Sequence, residues 1–281
     1  MAAPDEISPA MVEAGISALM GGNQPRTPAQ VVCDVFRRMN LARSATPIAL
    51  RTQSANLRRF VDTKPEMTPA DTQRMDAIRG TIPGYSEGLH YAFFKHLMAC
   101  TNISRLLILG VYHGRDIAYL MDIARALYRP LQVVGVDKFS DDFCADWPKE
   151  RQTLNWQQAG FGLAPSFENA QANIARLGFA DRVTMIRERD DAYLSRSDEH
   201  FDAVYIDTSH DYDTVARQIR QSARLLSEGG LICGDDYSDQ GTWGVKRAVT
   251  ELVPGHVIFA NWIWLGSRDQ IRLPPAHAAA A

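Results

Sequence analysis

RLLILGVYHGRDIAYL (105–120) decides the fold. Its first six residues form a compact apolar run stopped by glycine, and the ten that follow carry a helical pattern. Four further runs share that texture: LQVVGVD (131–137), RVTMI (182–186), FDAVYID (201–207) and GLICGD (230–235). Runs that are apolar at nearly every position suit strands covered on both faces, as in a parallel sheet. Helical patterns lie between them, at about 115–128, 167–177, 211–227 and 241–252. This alternation predicts repeated βαβ units and a doubly wound α/β fold. HVIFA (256–260) and WIWLG (262–266), parted by Asn261, predict a closing antiparallel pair.

Upstream, SEGLHYAFFKHLMAC (86–100) reads as a helix leading into the first strand. SPAMVEAGISALMGG (8–22) reads as a helix ended by Gly21-Gly22, and AQVVCDVFRRMNLA (29–42) as a second, opened by Thr27-Pro28. From there to residue 80 the chain is mostly polar and carries Pro47 and Pro65. The expected division is a helical extension over 1–84, serving as lid or dimer interface, an α/β domain over 85–268 and a flexible tail over 269–281.

The chain has 281 residues, 46% apolar and 22% charged, with 30 basic against 33 acidic residues and a net charge of −3. That balance excludes a disordered polymer. No apolar run approaches the roughly 20 residues that span a bilayer, and MAAPDEIS is unlike a signal peptide. A nucleic-acid binder would show a basic surplus. Neither nucleic acid nor membrane is expected as a partner. Cys33, Cys100, Cys144 and Cys233 are scattered, without the spacing of a zinc cluster or a disulfide framework. The expected setting is reducing and cytoplasmic.

Gly110 and Gly114 frame the first strand-to-helix turn, where the backbone can approach a ligand and the next helix offers free N–H groups. The spacing is GxxxG, so the dinucleotide fingerprint GxGxxG is absent. Asp137 ends the second strand, where a carboxylate can hold both hydroxyls of a ribose. Together they suggest a nucleoside-bearing cofactor; a plain tight turn with a helix-capping Asp137 is the alternative.

Asp207, Asp235 and Asp236 fall at the carboxyl ends of the fourth and fifth strands, the edge where open α/β sheets bind ligands. Like charges gathered there call for a divalent cation, and an all-oxygen set suits magnesium, manganese or calcium better than zinc. Such an ion could hold a substrate hydroxyl and lower its pKa. His210 follows Asp207 by three residues and is a natural general base. Helix capping and surface turns are the alternative reading of these four residues.

With GVYHG (110–114), VVGVD (133–137), FDAVYIDTSHDY (201–212) and LLSEGGLICGDDY (225–237), the chain resembles class I S-adenosylmethionine-dependent methyltransferases. It is most similar to the metal-dependent O-methyltransferases of the catechol and macrocin type, over roughly residues 85–268. The resemblance implies a Rossmann-like seven-stranded sheet with a terminal antiparallel hairpin. It implies that Gly110, Tyr112 and Gly114 line the methionine part of S-adenosylmethionine, that Asp137 holds the ribose, and that Arg189 or Asp190 lies near the adenine. Asp207, Asp235 and Asp236 match the metal-ligand positions, with magnesium expected, and His210 matches the general base. Two positions depart from the family pattern. Ile108 replaces an acidic residue, and Asp116 stands where a small hydroxyl residue is common. A carboxylate at 116 either repels the cofactor's own carboxylate or takes over recognition of its amino group.

The implied activity is metal-assisted O-methylation of a small-molecule hydroxyl (sugar, phenol or natural product) by a homodimer or higher homo-oligomer. The alternatives are a non-catalytic homologue that binds a cofactor or partner, and a nicotinamide-dependent oxidoreductase. The long connection over 138–166 carries Phe139, Phe143, Trp147, Trp156 and Phe161, which suit an acceptor wall, a lid or packing equally. Tyr237 and Trp243 are further acceptor-contact candidates. His113 either approaches the cofactor or faces solvent, and His90 and His96 read as core-edge residues.

Overall fold

The computed structural model describes residues 54–63, 65–141, 156–158 and 162–273. The helices expected at 8–22 and 29–42, most of the 138–166 connection with Phe143, Trp147 and Phe161, and the tail from 274 lie outside them.

Helices α1 (Ser54–Asp62), α2 (Pro69–Arg79) and α3 (Gly88–Cys100) precede the sheet. Then follow β1 (Arg105–Leu109), α4 (Arg115–Ala126), β2 (Gln132–Asp137), α5 (Phe167–Arg176), β3 (Val183–Arg187), α6 (Asp190–Arg196), β4 (Phe201–Ile206) and α7 (Tyr212–Leu225). The chain closes with β5 (Leu226–Gly234), α8 (Val245–Leu252), β6 (Val257–Phe259), β7 (Ile263–Ser267) and a 3₁₀ turn (Arg268–Gln270).

The strands form one seven-stranded sheet in the order β3-β2-β1-β4-β5-β7-β6. β1 pairs in parallel with both β2 and β4, so the winding direction reverses between β1 and β4. The crevice at the carboxyl ends of those two strands is the topological switch point, where such sheets bind ligands. β7 pairs antiparallel with β5 and with β6, as the closing pair predicts.

The side chains of β1 explain its unbroken apolar run. Leu106 and Ile108 join a core with Tyr91, Phe94, Ile117 and Leu120 of α3 and α4. Leu107 and Leu109 face the opposite core, with Val215 and Ile219 of α7 and Val249 of α8. Both faces are buried, so alternation is lost.

Three helices are not placed individually by the sequence reading, two of them inside the extension it expects to be helical. α2 starts on a reciprocal capping box between Thr68 and Asp71, and Asp71 also pairs with Arg74 and Lys95. α1 places Phe60 against Phe93 and Phe259, joining α3 to the edge of the sheet. α6 follows β3 directly and buries Tyr193 and Leu194. β5 also begins four residues before the predicted run, with Leu226 paired to Phe201. Hydropathy hides that start, because the polar SEGG lies at a register shift between Leu226 and Leu231.

Candidate active site

The glycine turn is shaped by close approach. Gly110 has φ +91°, and a Cβ built on it would lie 1.7 Å from the carbonyl oxygen of Asp207. The backbones leaving β1 and β4 therefore touch, and the N–H of Asp207 donates to Leu109 O at 2.8 Å. Gly114, at φ +86°, is the N-cap of α4. Between them Tyr112 holds φ 55°, an uncommon conformation for a residue with a side chain.

Asp137 organises this turn. Its Oδ2 accepts the N–H groups of Val111 and Tyr112 at 2.8 and 2.9 Å, and its Oδ1 that of Phe139 at 2.7 Å. Oδ1 keeps capacity for a further donor, so the carboxylate can order the turn and still receive a ribose hydroxyl. The Tyr112 ring stacks on Trp156 at 5.4 Å and lies 5.6 Å from Tyr85, while its hydroxyl donates to Leu163 O. His113 is buried, and burial lowers its pKa.

Beyond β4 and β5, Asp207, His210 and Asp236 each bring one ligand atom into a group whose members lie within 4.8 Å of one another. His210 Nε2 is 2.7 Å from Asp236 Oδ2. Asp236 has φ 56°, the kind of strained backbone that persists where a side chain must be aimed. The His210 ring stacks on Trp243 at 4.4 Å, and His210 O accepts the N–H of Gly244 at 2.7 Å. The loops after β4 and β5 are thus fastened together. Burial raises the pKa of Asp207 well above its ordinary value, the charges of Asp235, Asp236 and Asp116 add to this, and His210 opposes it.

Asp235 is engaged differently. Its Oδ2 lies 2.7 Å from Nε2 of His90, on α3. The N–H of Glu87 donates to His90 Nδ1 at 2.9 Å, which leaves the ring proton on Nε2, facing Asp235. Burial lowers the His90 pKa, while the Asp235 hydrogen bond and the charges of Asp116, Asp235 and Asp207 outweigh it, raising it to about 9. The structure therefore gathers two of the expected ligands, Asp207 and Asp236, with His210, and ties the third to a helix that precedes the sheet.

Asp116 sits in the first turn of α4 and is buried, which raises its pKa. Arg189 caps α6 in an exposed pair with Asp191. Asp190 accepts from Gln218 Nε2 at 2.7 Å, and the same nitrogen donates to Thr208 Oγ1. The Tyr237 hydroxyl is taken by His256 Nε2 at 2.8 Å and Thr250 Oγ1 at 3.2 Å. Trp243 lines a cleft of about 490 Å³ with Asp211, Tyr212, Asp213, Asp239 and Arg247. His90 is the residue that sequence reasoning missed: it lies 145 positions from Asp235, on an otherwise apolar helix, and no local pattern marks it.

Residues 107–237 match a family model described as a methyltransferase domain. No curated protein matches the chain in sequence. Several solved structures resemble it. The SAH-bound methyltransferase PaMTH1 of Podospora anserina is 12% identical with a TM-score of 0.48, over 88% of this chain and 98% of that one. The O-methyltransferase of Bacillus cereus in complex with SAH is 16% identical with a TM-score of 0.45, over 77% and 98%. The O-methyltransferase TomG of Streptomyces achromogenes, in complex with SAM, is 17% identical with a TM-score of 0.45, over 75% and 94%. Over residues 107–237 the chain is therefore similar to a methyltransferase domain, in line with the sequence resemblance. Among the described residues no helix is long and apolar enough to cross a membrane.

Proposed function

We propose that the protein is an S-adenosylmethionine-dependent O-methyltransferase acting on a hydroxyl of a small molecule, assisted by a divalent cation. The observation that carries this reading is the meeting of two sites at one sheet edge. The Gly110–Gly114 turn with Asp137 lies beside the Asp207–His210–Asp236 group, both within the stretch that matches the methyltransferase model.

Asp137 offers its remaining acceptor capacity to the ribose, and the turn lets the nucleoside approach the backbone. Asp207 and Asp236 would hold the cation; the two carboxylates fit one, since they converge within 4.8 Å of each other and of the His210 imidazole, which is kept for proton transfer. When bound, the cation supplies a lowered pKa at the acceptor hydroxyl. His210 removes that proton at Nε2, and Trp243 keeps its ring in place. Holding acceptor oxygen and methyl group in line supplies a large part of the rate enhancement.

Calorimetry with S-adenosylhomocysteine, in magnesium and again in EDTA, tests the cofactor first. Clear binding justifies a screen of sugar, phenol and other hydroxyl acceptors with metal present; no binding in either condition turns the reading to a non-catalytic homologue. With an acceptor in hand, His210→Ala lowers turnover by about 10²–10⁴ while leaving cofactor affinity nearly unchanged. Equal losses in both remove His210 from the role of base.

A further inference from the structure

Asp235 and Asp236 sit between two fixed points. On one side Gly234 pairs with Trp264 of β7. On the other the N–H of Tyr237 donates to Trp262 O at 2.9 Å. A ladder kept in register would bring Tyr237 opposite Asn261, but the bond reaches Trp262. Asp235 and Asp236 together therefore face Ile263 alone, the two-against-one count of a β-bulge, and Asp236 takes its φ of 56° within it. A bulge re-aims side chains that a regular strand would alternate. Here the neighbouring carboxylates part, Asp235 Oδ2 to His90 Nε2 and Asp236 Oδ2 to His210 Nε2, each at 2.7 Å.

A non-glycine residue at positive φ persists where its surroundings over-determine it. Tyr237 supplies that constraint through its side chain as well as its backbone. Its hydroxyl lies 2.8 Å from His256 Nε2 and 3.2 Å from Thr250 Oγ1. The direction of these bonds follows from Val253 O, 2.9 Å from His256 Nδ1. A carbonyl only accepts, so the neutral ring carries its proton on Nδ1 and presents a bare Nε2 to the phenol. The phenol spends its one proton there and accepts from Thr250. The three anchors come from α8, from the segment after it and from the turn between β6 and β7, none of which holds an expected site residue.

Resting on the cation reading above, we infer that Tyr237 is a positioning residue: held by Trp262, His256 and Thr250, it maintains the bulge that aims Asp236 at His210 and at the cation. The closing hairpin thereby acts on the site through one tyrosine, without contributing a ligand.

Variants of the full chain test this with two readouts, Mn(II) binding by electron paramagnetic resonance and the His210 ring nitrogens by NMR of the metal-free protein. Tyr237→Phe keeps the ring and the backbone N–H but has no proton for His256. It weakens Mn(II) at least about threefold, the scale of one hydrogen bond, and shifts the His210 Nε2 signal. His256→Gln, whose amide oxygen still accepts from the phenol, retains Mn(II) more tightly than His256→Leu, which has no acceptor. A smaller loss of Mn(II) affinity in Tyr237→Phe overturns the inference, as does an unmoved His210 signal or equal behaviour of the two His256 variants. If Tyr237→Phe does not fold, the His256 pair is judged by the same two readouts. A wild type that binds no Mn(II) refutes the cation reading itself, and the His210 signal of the metal-free variants then decides whether Tyr237 aims Asp236.

Discussion

Replacing Gly110 by alanine tests whether the contact between β1 and β4 holds the site together. Two costs apply. The first is conformational: an L side chain at φ +91° costs about 1–2 kcal/mol, of which alanine's smaller unfolded-state entropy returns roughly 0.4–1. The second is steric. The new Cβ would stand 1.7 Å from Asp207 O, an atom of the backbone that no rotamer change can move. The strand ends must part by more than an ångström, breaking the bond from Asp207 N–H to Leu109 O, worth about 1 kcal/mol, and straining the pairing beneath it. The expected loss is about 3 kcal/mol or more. Gly114→Ala is the control: its φ is +86°, yet the nearest atom to a Cβ is Ile174 Cδ1 at 3.6 Å, so only the conformational cost of about 1 kcal/mol remains. Urea denaturation of both variants gives the difference, and Mn(II) titration shows whether Asp207 has moved. The reasoning fails if Gly110→Ala is no less stable than Gly114→Ala, or if it binds Mn(II) with wild-type affinity.

Three further outcomes are expected. Asp122 is 2% exposed and accepts from Arg74, Arg125 and Tyr91, so Asp122→Ala should destabilise by about 3 kcal/mol in urea, the low end for a buried pair because Arg74 is partly exposed. Burial lowers the pKa of His96 below its ordinary 6.5, so the neutral ring is favoured in the fold; its contribution is present above pH 6.5 and is lost as pH falls through the lower folded value. The stability difference between wild type and His96→Gln should therefore be flat at neutral pH and shrink on acidification, and a difference that grows instead would reverse the sign. Trp243→Leu should shift the ring protons of His210 in NMR spectra as the stacked indole is lost, while Trp243→Phe preserves most of the effect; unchanged signals in Trp243→Leu would dissolve the clamp.

The sheet was readable because both faces of its strands are buried. FDAVYID has no polar alternation to confuse it, and β4 ends within a residue of the predicted point. α2 was not readable, since its support comes from Lys95 of α3, 24 positions from Asp71, and from a cap that looks like any polar stretch. The site divides in the same way. Asp207 and His210 lie three residues apart at a strand end, and Asp236 ends the next strand, so sequence position alone suggested their meeting. His90 reads as one more residue of an apolar helix, and only the packing of α3 brings it to Asp235. Tyr237, an acceptor-contact candidate from its place beside Asp236, shows what sequence does not give: its hydroxyl bonds His256 and Thr250.

The His90–Asp235 bond sets the size of the smallest portable unit. The stretch that matches the methyltransferase model starts at residue 107 and so omits α3 altogether. A fragment cut to that stretch, or a chimera that grafts it onto foreign flanking helices, would keep every strand-end residue from Asp137 to Asp236 and still leave Asp235 without its donor. It would also uncover Tyr119 and Tyr205, each 0% exposed in the intact fold and packed on Tyr91, Phe93 and Phe94 of α3. Recombination or domain engineering with this scaffold therefore has its first safe boundary upstream of Glu87, whose amide orients the His90 ring. Sequence conservation within the matched block would be blind to that requirement.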